Sequence, residues 1–143
     1  MKNISKEDLI NYILKTQKIS RNELLEKLSG EKIPITIFTT DLFPLESIVF
    51  YLKKNHKTNE IARLLNKSPS AISLAYKKAK TKKFKIKETK IYIPLSEFNS
   101  KLSILEVAVY YLRRQDMKFA EIAKLLKRNI KTIWTIYSRA KKK

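Results

Sequence analysis

Apolar residues in this chain fall into short blocks with members three and four apart, the period of a helix face rather than the alternation of a half-buried strand. Leu9, Ile10, Ile13 and Leu14 form the first block, after a start at Ser5 where Glu7 and Asp8 stand in the opening turn that the helix dipole favours for acids. A second start follows at Ser20, with Glu23 completing a capping box and Ile19 placed to staple against Leu24, and Gly30 ends that helix. Further on, Leu45, Ile48, Val49 and Leu52 mark one amphipathic helix, Ile61, Ala62 and Leu65 a shorter one, and Ile72, Ala75, Tyr76 and Ala79 a third. The same series returns as Leu105, Ala108, Val109 and Leu112, then Ile122, Ala123 and Leu126, then Ile133, Ile136, Tyr137 and Ala140. An Ile-Pro dipeptide opens each series in extended form, at Ile33-Pro34 and Ile93-Pro94, because the residue before proline is pushed out of the α region. Between the series, Lys83 to Tyr92 alternates Phe84 and Ile86 with lysines; it reads as a short strand or a solvated linker, and the instability of an unpaired strand favours the linker.

The return is a duplication. IPITIFTTDLFPLESIVFYLKK (33–54) lies over IPLSEFNSKLSILEVAVYYLRR (93–114) at an offset of 60, and NEIARLLNKSPSAISLAYKKAK (59–80) lies over AEIAKLLKRNIKTIWTIYSRAK (120–141) at an offset of 61. Two copies of this length are too few and too long for a stacked array of repeats, so each reads as a small domain. The chain then divides into an N-terminal helical segment at 1–32, a first copy at 33–82, a linker at 83–92 and a second copy at 93–143. A single glycine among 143 residues argues against tight hairpins and excludes Gly-rich phosphate loops, which leaves an all-α class.

Charge changes the picture. The net charge is +19, with 32 basic residues against 13 acidic ones, and such a surplus repels itself unless a polyanion offsets it. The alternative, a merely soluble lysine-rich protein, sits poorly with the mixed sign of ordinary surfaces. Residues 1–32 carry 7 basic and 5 acidic groups, residues 33–82 carry 9 and 3, and residues 83–143 carry 16 and 5. The surplus therefore rides on the duplicated part.

Within each copy the second and third helical faces make a helix-turn-helix. Ala62 and Ala123 are small where two steeply crossing helices approach most closely, Ser68 and Asn129 are placed as N-caps, and Pro69 stands at the first helical position, where no donor is lost. The fold expected is two duplicated three-helix helix-turn-helix units after an N-terminal helical pair, with the third helix of each unit as the recognition helix. At Glu60-Ile61-Ala62, Leu65, Ala71-Ile72 and Lys78-Ala79 the first copy resembles the C-terminal promoter-reading region of bacterial sigma factors. The second copy matches more fully, with Glu121-Ile122-Ala123, Leu126, Thr132-Ile133, Arg139-Ala140 and then Lys141 to Lys143, and its TIWT stretch is similar to small tandem helix-turn-helix proteins of archaea. The resemblance implies double-stranded DNA as partner. It does not extend to residues 1–32, and nothing here matches the other sigma regions that bind polymerase and melt a promoter. The glycine and apolar residue usual in the turn are replaced by Asn66-Lys67 and Lys127-Arg128, and of these asparagine tolerates a left-handed backbone better than lysine.

Phosphate contacts are expected from the helix starts at Ser68 and Asn129 and from Lys77, Lys78, Lys80, Lys82, Lys131, Arg139, Lys141, Lys142 and Lys143. Base contacts are expected from Ser70, Ser73, Leu74 and Lys77 in the first copy and from Lys131, Trp134, Thr135 and Ser138 in the second, with Thr132 counted among the DNA-binding residues beside them. No Asn or Gln stands ready to grip adenine, and only Lys77 or Lys131 could grip guanine, so sequence choice is modest. Trp134 reads equally as a packing residue and as a stacking or wedging residue at DNA.

Other chemistry finds no constellation. There is no cysteine for a disulfide or a thiolate site, the one histidine, His56, lies in a charged turn where it should be solvated, and Glu46, Glu60, Glu106 and Glu121 are accounted for as helix-start acids. No catalytic residue, metal ligand or cofactor is expected. Met1 to Leu28 has no apolar run of a signal peptide or membrane span, so a cytoplasmic location is expected, and with DNA as partner the nucleoid. The leading expectation is a DNA-binding transcriptional regulator. Others are a nucleoid-associated protein of low specificity, an RNA-binding or ribosome-associated protein, although the usual RNA modules are lacking, and an adaptor whose residues 1–32 contact transcription machinery or a second copy.

Overall fold

The computed structural model describes residues 30–143 together with Asp8 and Tyr12. The expected helix starts at Ser5 and Ser20 lie outside the described residues; Asp8 and Tyr12 are helical, and Gly30 takes a turn with φ +61°. The chain forms two compact units, Met1–Glu31 and Lys32–Lys143.

The second unit is mainly helical. Strand β1 (Lys32–Pro34) runs into a 3-10 turn (Ile35–Thr39) and then helices α1 (Pro44–Leu52), α2 (Thr58–Leu65) and α3 (Pro69–Lys80). The order repeats as β2 (Tyr92–Pro94), a 3-10 turn (Leu95–Phe98), α4 (Ile104–Arg114), α5 (Phe119–Leu126) and α6 (Ile130–Lys142). The apolar blocks read between Leu45 and Ala140 are the buried faces of these helices, with Leu45, Leu105, Tyr76 and Tyr137 only partly buried at the margins.

The expectation of a purely α-helical chain is corrected at one point. The Ile-Pro segments pair as a two-stranded antiparallel sheet in the register Lys32↔Pro94, Ile33↔Ile93, Pro34↔Tyr92. Three residues are too few for a stable hairpin alone. What holds them is burial, since Ile33 and Ile93 are both 0% exposed and each such side chain contributes about 1.5–3 kcal/mol.

The register carries symmetry. Ile33 and Ile93 are equivalent residues of the two copies and face each other, as the residues on a two-fold axis must. Phe38 and Phe98, another equivalent pair, meet with ring centroids 6.1 Å apart at 37°. Off the axis the contacts are reciprocal: α5 packs on the first 3-10 turn and α2 on the second. Each exchange is fastened by a hydrogen bond, from Arg128 Nη1 to the Phe38 carbonyl at 3.1 Å and from Asn99 Nδ2 to the Arg63 carbonyl at 2.9 Å. The buried residues of both copies form one continuous core rather than two.

The segment expected as a solvated linker is a strap instead. Phe84 sets its edge on Phe50 at 4.8 Å and 78°, Ile86 packs against the core, and Lys83, Lys85 and Lys87 stay exposed. The Thr36 hydroxyl donates to the Lys87 carbonyl at 2.6 Å, and the Ile35 amide to Ile91 at 3.1 Å. The alternation that suggested a strand thus serves a segment with one apolar side against the first copy, and only its last residue, Tyr92, joins the ladder, opposite Pro34.

Candidate nucleic-acid interface

Helix α3 begins as its sequence dictates. Ser68 Oγ accepts the Ala71 amide at 3.2 Å and Pro69 occupies the first helical position, while Ile72, Ala75 and Ala79 turn inward. The opposite side leaves Ser70, Ser73, Leu74, Lys77, Lys78 and Lys80 exposed. Helix α6 is built alike, with Asn129 Oδ1 accepting the Lys131 amide at 2.8 Å and Ile133, Ile136 and Ala140 buried. Lys131, Thr132, Trp134, Thr135, Arg139 and Lys141 are exposed. Ser138 is not fully exposed as expected: it is half-buried on the helix flank, beside half-buried Tyr137. Neither helix contains an acidic residue. Two helix starts and two cationic faces of this kind can accept phosphate groups.

The turn before each of these helices is set by one left-handed residue. Asn66 has φ 55° and ψ 50°, and Lys127 has φ 54° and ψ 47°. In both copies the next amide, of Lys67 or Arg128, donates 2.9 Å back to Ala62 or Ala123, closing the helix end in a Schellman pattern. Arg128 is then half-buried with Nη1 on the Phe38 and Leu126 carbonyls, each at 3.1 Å, and burial pushes its pKa down from the ordinary value. A guanidinium keeps its charge regardless.

Two lysines expected to meet phosphate are engaged elsewhere. Lys82 Nζ lies 3.0 Å from Glu46 Oε1, and Lys143 Nζ lies 2.7 Å from Glu106 Oε1. Both carboxylates are only 5% exposed, so they are more than the helix-start acids the sequence suggests. Burial raises the Glu106 pKa, but hydrogen bonds from Lys143 and the Ser103 amide outweigh it and hold the group below the ordinary carboxyl range. The recurrence of Glu at 46 and 106 and of Lys at 82 and 143 is the signal that marks this clamp. His56 departs from expectation too: it is half-buried, with Nδ1 2.8 Å from Glu60 Oε2 one helical turn on.

The faces of α3 and α6 differ in one respect that sequence reading did not bring out. Trp134 stacks on Phe119 at 4.7 Å and 24°, and Phe119 sets its edge against Tyr137 at 5.2 Å, which in turn stacks on Tyr110 at 6.0 Å. The Arg113 guanidinium caps the Phe119 ring at 4.5 Å and Lys141 the Tyr137 ring at 5.5 Å. Trp134 is packed on one side, as the packing reading expects, yet 54% exposed, so its outer face stays open. In the first copy Thr58 and Ser73 stand where Phe119 and Trp134 stand in the second. Their small side chains leave an open groove lined by Lys53, Thr58, Ser70, Ser73, Tyr76 and Lys77. Lys53 and Lys80 flank the Tyr76 ring at 5.1 and 5.0 Å.

No group of three or more His, Cys, Asp or Glu side chains suited to a metal occurs among the described residues, and no helix among them is long and apolar enough to cross a membrane. Comparison with protein-family models, curated proteins and solved structures returned no match.

Proposed function

We propose that the chain binds double-stranded DNA through two helix-turn-helix units, α2–α3 and α5–α6, and acts as a transcriptional regulator. The observation that carries this reading is the pair of N-capped helices, α3 and α6, each exposing basic residues and carrying no acid. Ser68 and Asn129 mark helix starts suited to backbone phosphate, and Lys78, Lys80, Arg139 and Lys141 extend the contact along the duplex. Lys131, Thr132, Trp134 and Thr135 are the groups that would reach base edges from α6; Ser70, Ser73, Leu74 and Lys77 would do so from α3. A second reading, an architectural DNA coat with little sequence choice, is favoured by the plain serines on the exposed face of α3.

The test is duplex binding as a function of salt. Each neutralised phosphate contributes a log–log slope of roughly −0.9, so several contacts give a steep decline in affinity between low and physiological salt. A slope near zero, or no binding at low salt, overturns the DNA reading. Competition between random and selected duplexes at one salt concentration separates regulator from coat.

A further inference from the structure

We infer that the two copies engage one duplex as the halves of a dyad, so that the target is an inverted repeat with unequal arms, bound in a single orientation. This rests on the DNA reading above and adds to it the arrangement of the site. The dyad is a property of the packing. Equivalent residues meet on the axis at Ile33↔Ile93 and Phe38–Phe98, and each copy's second helix sits on the other copy's 3-10 turn. An offset by translation, as in head-to-tail modules, would instead bring non-equivalent surfaces together. B-DNA has two-fold axes of its own, normal to the helix and relating its antiparallel strands. Two binding units related by a two-fold can dock in the same way on one duplex only when their half-sites are related by that axis too.

The arms are unequal because the symmetry stops at the side chains that would read them. At equivalent exposed positions Ser70 stands where Lys131 does in the other copy, Ser73 where Trp134 does, and Leu74 where Thr135 does. The frame beneath is shared: the Glu46–Lys82 and Glu106–Lys143 clamps recur, as do the left-handed turn residues Asn66 and Lys127. The groups offered to phosphate recur as well, with Ser68 and Asn129, Lys78 and Arg139, and Lys80 and Lys141 at equivalent exposed positions, so phosphate contacts are symmetric and base contacts are not. A homodimer reading a palindrome cannot tell left from right, whereas this chain can.

The experiment uses the full chain on duplexes selected from a random pool, followed by phosphate ethylation interference. The expected interference pattern is symmetric about the centre of the site, and joining both arms raises affinity about a hundredfold over one arm. The substitutions Lys131→Ser, Thr132→Ala, Trp134→Ser, Thr135→Leu and Ser138→Lys give α6 the reading face of α3, and that variant is expected to select a true palindrome. The converse set, Ser70→Lys, Ala71→Thr, Ser73→Trp, Leu74→Thr and Lys77→Ser, gives the other palindrome and stands in if loss of the Phe119 stack unfolds the first variant. Phosphates repeated by translation, or confined to one arm at full affinity, overturn the dyad and leave DNA binding intact. Absence of binding to any duplex overturns the dyad and the DNA reading together.

Discussion

A carboxylate at 5% exposure in a chain of this charge has many cations to choose from, and in both copies it takes the lysine just beyond the end of the third helix. Glu106→Gln keeps an acceptor for the Ser103 amide while removing the charge that holds Lys143, and is expected to cost about 1–2 kcal/mol in urea unfolding. The pH dependence has a definite sign. A carboxyl held below its unfolded value, about 4.3 for Glu, stabilises fully above that value and loses its contribution as pH falls through the folded one. The gap between wild type and Glu106→Gln should therefore narrow on acidification below pH about 4; a gap that is constant or widens would mean the Lys143 contact is idle. On the binding side, Lys131→Ala with Arg139→Ala is expected to weaken DNA affinity more than Ser70→Ala with Lys77→Ala. Loss of Lys131 should also relax sequence choice by about 1–3 kcal/mol, whereas loss of Arg139 should act alike on every duplex. Equal effects from the two pairs on all duplexes would favour the architectural coat.

At the scale of elements, the helices and their caps were legible because each depends on residues within a turn or two. Ser68-Pro69 and Asn129 carry their own donors and acceptors, and the apolar spacing states which side goes inward. β1 and β2 were not legible as strands, since Lys32–Pro34 pairs with Tyr92–Pro94, far downstream, and nothing local announces the pairing. The Glu46 and Glu106 clamps escaped for the same reason: their lysines stand 36 and 37 residues away, and a Glu three residues into a helix already has a sufficient local explanation. For the candidate site, the exposed residues of α3 and α6 were readable from helical period save for half-buried Ser138, but Phe119, Arg113 and Lys53 reach the same surface only through packing. The αL position at Lys127 was a visible irregularity in the sequence, and its consequence can be measured. A lysine at φ 54° bears steric strain that glycine does not, so Lys127→Gly is expected to stabilise by about 1 kcal/mol even after the larger entropy of the unfolded glycine. A lower urea midpoint for that variant would show that the Lys127 side chain makes up the strain by contacts of its own.

At the scale of the whole molecule, one core serving both copies makes Lys32–Lys143 a single cooperative unit, although the duplication suggests two. Trp134, the sole tryptophan, reports on the second copy, whereas Ile33 belongs to the first. Ile33→Ala is expected to cost 2–5 kcal/mol, roughly the range for such core truncations, and to lower the Trp134 fluorescence midpoint and the helical circular dichroism midpoint by the same amount. Two separated transitions would mean that the copies melt independently. The strand pair has a further consequence, in the order of events during synthesis. A ribosome making this chain releases β1 long before β2 exists, so the first copy waits with an open strand edge, the kind of surface on which chains pair with one another. Crowded polysomes and concentrated refolding mixtures then offer β1 the β2 of a neighbouring molecule, in the register it would otherwise find at home. The product is a domain-swapped dimer with every native contact satisfied, and its share of the refolded protein should rise with concentration during refolding and persist after dilution.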